Sequence, residues 1–161
     1  MLSRILFAVA ILLPFCANAQ QVKLVNSTEQ RWAGGIAGHR GENYTFTIEF
    51  SDFTSEPKPL TLWVGNDVFE LVTKDSLVQS NTKIKRMKSG KILRWDIVVR
   101  ASHDDYADRY PVQGPDDTKK SKPKPPRPFK GKALLVYNYE SKTQFYEVTK
   151  IMTNLPQLNY P

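Results

Sequence analysis

Alternation of apolar and polar side chains with a period of two limits this chain more than any other feature. Tyr44, Phe46, Ile48 and Phe50 alternate with Thr45, Thr47 and Glu49. Successive side chains of a strand point to opposite faces, whereas a helix buries residues every three or four positions. The pattern recurs at Leu60, Leu62 and Val64, with Thr61 and Trp63 on the other face, and Gly65-Asn66-Asp67 then supplies a turn before Val68 to Thr73. It recurs again at Leu93, Trp95, Ile97 and Val99. Ala133 to Tyr139 and Gln144 to Ile151 flank Glu140-Ser141-Lys142 as a closing hairpin, and weaker strands are expected at Val22 to Val25 and Ser80 to Met87. No stretch repeats at helical spacing, and β-branched and aromatic residues dominate the apolar set. The expected fold is all-β, a single antiparallel β-sandwich of immunoglobulin-like type with about seven or eight strands, with a small barrel as second choice. The Cys…Trp…Cys spacing of an antibody-type domain is absent.

Residues 1–19 read as an address. Arg4 gives a positive start, Ile5 to Phe15 an apolar run, and Ala17-Asn18-Ala19 the small residues of a cleavage site. A secretory signal peptide leaves residues 20–161 as one domain, secreted or periplasmic, with no further stretch long enough to span a membrane. The one cysteine, Cys16, goes with the signal. The mature chain is therefore expected to have no disulfide and no thiolate metal site, which favours a bacterial envelope over a disulfide-rich secretory pathway. Lipidation of Cys16 is the minor alternative, against which Pro14-Phe15 stands where small residues are preferred.

The formal charge of +7 is concentrated in one place. Residues 119–132 hold Lys119, Lys120, Lys122, Lys124, Arg127, Lys130 and Lys132 and no acid, while Asp104, Asp105, Asp108, Asp116 and Asp117 precede them. Both groups fall in a proline-rich stretch, 101–131, read as a long charged loop. Such a loop is either a solvated extended connection or an arm that binds a polyanion. A second basic cluster, Lys83, Lys85 and Arg94, surrounds Ser89-Gly90. With those two residues as the turn, Lys85 would face Arg94 and Lys83 would face Asp96, a like-charge opposition that suits an anionic partner or a guarded sheet edge.

Motifs for chemistry are sparse. His103, Asp104, Asp105 and Asp108 form the densest set of potential metal ligands, and a metal-assisted hydrolase would centre on His103. Their spacing matches no known metal loop, and an acidic loop after a strand is the plainer reading. Gly34-Gly35 to Gly41 lacks the helix that a phosphate loop requires and is read as a turn between strands. Glu49, Glu70, Asp96 and Glu147 are possible paired carboxylates, but three of them lie on the polar faces of strands. Trp63 and Tyr146 sit opposite their strands' main apolar sets. They either stack on a partner or are core in a strand buried on both sides, with core preferred. No cofactor motif is present. The sequence thus points to a non-catalytic protein that binds an envelope protein or an anionic glycan or lipid, with a polyanion-binding module on the basic arm as runner-up.

Overall fold

The computed structural model describes residues 21–34, 39–71, 81–104 and 123–161. Among these described residues nine strands form two sheets: β1 (Gln21–Ala33), β2 (His39–Ser51), β3 (Lys58–Val64), β4 (Asp67–Glu70), β5 (Thr82–Ser89), β6 (Ile92–Asp104), β7 (Ala133–Tyr139), β8 (Lys142–Val148) and β9 (Thr153–Asn159). The first sheet runs β5-β6-β2-β1-β9 and the second β4-β3-β7-β8. All pairings are antiparallel except β1 with β9.

The alternation in the sequence becomes one core between the sheets. Phe46, Ile48 and Phe50 of β2 and Trp95, Ile97 and Val99 of β6 meet Leu62, Leu135 and Tyr137 from the second sheet. The ring of Phe50 lies 4.3 Å from that of Trp95 and 5.4 Å from that of Tyr137. Each fully buried side chain of this size stabilises the fold by about 1.5–3 kcal/mol. The closing hairpin turns on Glu140 and Ser141, both at positive φ, and Lys142 already belongs to β8.

A bulge in β1 ties the two sheets. Between Leu24 and Asn26 the register with β2 shifts by one residue, and the Leu24 amide donates to the Tyr146 hydroxyl at 2.8 Å. Tyr146 pairs with Leu135, so it faces the core. Trp63 does not. It lies on the outer face of the second sheet with Leu134 and Val136, yet it is only 5% exposed. The cover is the proline-rich segment itself. Phe129 and Phe145 pack on this cluster, and the Arg127 guanidinium stands 5.0 Å over the Phe145 ring. The Lys130 and Gly131 amides donate to Glu147 Oε1, and Lys132 donates to the Val148 carbonyl. Residues 123–132 are therefore a strap laid over a sheet face.

Three expectations are corrected. β6 continues through Ala101 to Asp104, so the connection after it begins later than the charge pattern suggests. The β5–β6 turn is Gly90-Lys91, with Gly90 at φ 58°, because a glycine at the first central position matches the twist of a hairpin. The register moves with it. Lys85 faces Asp96, Lys83 faces Val98 and Arg94 faces Met87, so the like-charged pair does not form. The glycine-rich stretch is shorter than expected, because β1 runs to Ala33 and β2 begins at His39.

Candidate functional site: the open end of the longer sheet

Strand length creates the site. β1, β2 and β6 have 13 residues each, whereas β3, β7 and β8 have seven. At about 3.3 Å per residue the longer strands extend roughly 20 Å further than the shorter ones. The core-side rows of the first sheet record where cover ends. Ser27, Phe46 and Ile97 form a fully buried row, followed outward by Glu29, Tyr44 and Val99. Next come Arg31, Glu42 and Ala101, and then Ala33, Arg40 and His103. Arg31, Arg40 and His103 are exposed. An apolar face thus turns into a charged one along the same three strands.

Glu42 sits at the centre of the charged rows. His103 Nε2 lies 3.1 Å from Glu42 Oε2, with Arg31 opposite on β1 and Arg40 two residues along β2. Glu29 Oε1 is 3.8 Å from Arg31 Nε. Burial, reinforced by Glu29, Glu42 and Asp67, pushes the Tyr44 phenol up to about 12. The rows open into a cleft of about 680 Å³ lined by Arg31, Arg40, Glu42 and His103, with Gln157 of β9 on its far wall. A neighbouring cleft of about 540 Å³ adds Glu29, Lys132, Lys150 and Asn154.

The opposite face of this end is closed by an aromatic group. Trp32 packs over Gly41, the Arg100 guanidinium stands 4.2 Å over its ring, and the Tyr160 ring meets it edge-on at 6.3 Å. The C-terminal strand is fixed from both ends. The Met152 amide donates to Ser27 Oγ at 3.0 Å, and the Tyr160 amide donates to the Ala33 carbonyl at 2.9 Å.

No family model, curated protein or solved structure matches the chain.

The residues expected from sequence are dispersed. Lys124, Arg127 and Lys130 are exposed on the strap, and Lys132 lies at its end beside the second cleft. Lys83 and Lys85 are exposed on the β5 edge. Arg94 Nη2 donates to Glu49 Oε2 at 3.0 Å, and the Thr47 hydroxyl donates to Asp96 at 2.9 Å, so Arg94 is held by a carboxylate of its own sheet. Lys119, Lys120, Lys122, Asp105 and Asp108 lie outside the described residues, as does the side chain of Asp104. Among the described residues no group of three or more His, Cys, Asp or Glu could hold a metal ion. Sequence reasoning missed Arg31, Arg40, Glu42 and Lys150. Glu29 and Arg31 precede the connection 34–38 and Arg40 and Glu42 follow it, and pairing its two flanks as a hairpin would have brought the charged segments together.

Proposed function

We propose that the protein is a secreted or periplasmic, non-catalytic β-sandwich of immunoglobulin-like type that binds another envelope component through the open end of its longer sheet. The observation that carries the binding site is the charged ladder of Arg31, Glu42, Arg40 and His103, three of them exposed, on three long paired strands. Paired charges on a regular sheet face suit recognition, whereas catalysis needs a nucleophile, a base and an orienting group converging on one reacting atom. The immunoglobulin-like reading is supported by strand order. β1-β2-β6-β5 opposite β4-β3-β7-β8 corresponds to A-B-E-D opposite C′-C-F-G, with β9 added beside β1. The location is supported by the signal-like residues 1–19, with a lipid anchor at Cys16 as the alternative.

Affinity capture from the native envelope tests this. The mature chain is expected to retain a component that Arg31→Ala/Arg40→Ala does not. Equal capture by both removes the open end as the site. The runner-up, polyanion binding by the basic proline-rich segment, is supported by the exposure of Lys124, Arg127, Lys130 and Lys132. It requires salt-sensitive retention on heparin that is lost when Lys124, Arg127 and Lys130 become Gln.

A further inference from the structure

Building on the open end as the binding face, we infer that its occupant is a linear anionic glycan: a sugar chain bearing carboxylate, sulfate or phosphate groups, laid in a trough across β6, β2, β1 and β9. The two clefts share Arg31 and Gln157 as walls and so adjoin, with His103 of β6 in the first and Lys150 and Lys132 in the second. Arg40 and Arg31 are diagonal neighbours on adjacent strands, a spacing of about 7–8 Å. Lys150 and Lys132 continue the series in the second cleft. Among the described residues the walls of the two clefts carry these four cations and two carboxylates, Glu29 and Glu42. Cations repeated along a trough match a chain whose anionic groups repeat, and the amides of Asn154 and Gln157 suit its hydroxyls.

Two other polymers fit less well. An acidic peptide usually binds by adding a strand alongside a sheet edge, whereas this trough runs across the strands. Single-stranded nucleic acid uses exposed rings as stacking platforms. The aromatic residue of the first cleft, Trp32, is packed against Gly41, overlaid by Arg100 and only 7% exposed.

The test measures binding of the mature chain to polygalacturonate and to heparin, with neutral dextran and polyglutamate as controls. Salt-sensitive binding to either anionic glycan is expected, and none to dextran. Arg31→Ser/Arg40→Ser should weaken it about tenfold. Lys83→Gln/Lys85→Gln/Lys88→Gln removes more charge from the β5 edge and should change it by less than about twofold. Equal weakening by both variants would reduce the effect to net charge and overturn the inference. Equally tight binding to polyglutamate would also overturn it, as would binding that depends on Lys124, Arg127 and Lys130. If Arg31→Ser/Arg40→Ser loses a captured envelope component while neither glycan binds, the open end stands as a binding face and the glycan falls.

Discussion

The indole of Trp32 lies against the backbone of Gly41, so closely that a methyl group on that glycine would stand 2.6 Å from Trp32 Cζ2 and collide with the Ala101 carbonyl. The glycine is there because it has no side chain, and the ring fills the space that a side chain would take. Gly41→Ala should destabilise the fold by about 1–3 kcal/mol through overpacking. Denaturant unfolding followed by tryptophan fluorescence measures it, and a change below about 0.5 kcal/mol would show that the ring moves aside freely.

Tyr146→Phe removes the acceptor of the Leu24 amide without altering the shape of the core. The bulged amide then loses its partner, which costs about 1–2 kcal/mol. Tyr137 faces the same core, and among the described residues its hydroxyl makes no hydrogen bond, so Tyr137→Phe should cost less. Thermal unfolding of the two variants side by side checks the order.

Phe129→Ala should uncover Trp63. The expected loss is about 1–3 kcal/mol, with a red shift in tryptophan emission and faster quenching by acrylamide. Unchanged emission would mean that the strap's prolines hold the cover without its aromatic anchor.

Tyr44 gives a pH prediction. Its phenol ionises at about 12 in the folded chain, against an ordinary value near 10. Between these values the unfolded chain loses the proton while the folded chain keeps it, so rising pH favours unfolding. The contribution is fully present below pH 10 and is lost progressively towards about 12. Tyr44→Phe should flatten that part of the stability curve, and absorbance titration of the phenol should lose its highest step.

Much of the fold could be read because burial has a period. Phe46, Ile48 and Phe50, and likewise Leu93 to Val99, announce both the strand and its inward face. Ala133 to Tyr139 was legible to the residue, although it is buried on both sides. Turn position was less legible. Moving from Ser89-Gly90 to Gly90-Lys91 is one step in sequence, but it exchanges every cross-strand partner of Lys83 and Lys85. β9 could not be read, because Pro156 and the exposed side chains of Thr153 to Asn159 lack any alternation. The basic segment was visible as composition, but only the packing of Phe129 reveals where it goes. The candidate site was hidden for a different reason. Arg31 and Glu42 are ordinary surface charges in sequence, and only strand length and pairing place them on a face that the second sheet does not reach.

The parallel pairing of β1 and β9 has a bearing on how the molecule comes into being. Ser27 receives the Met152 amide across 125 residues of chain. β1 can fold onto β2 as soon as that hairpin emerges, but its other edge must wait until β9 has been made. Until then the growing chain carries an unguarded strand, open to pairing with another copy. Completion is thus a late event in the protein's life, and truncation near Ile151 would leave it with a permanently sticky border.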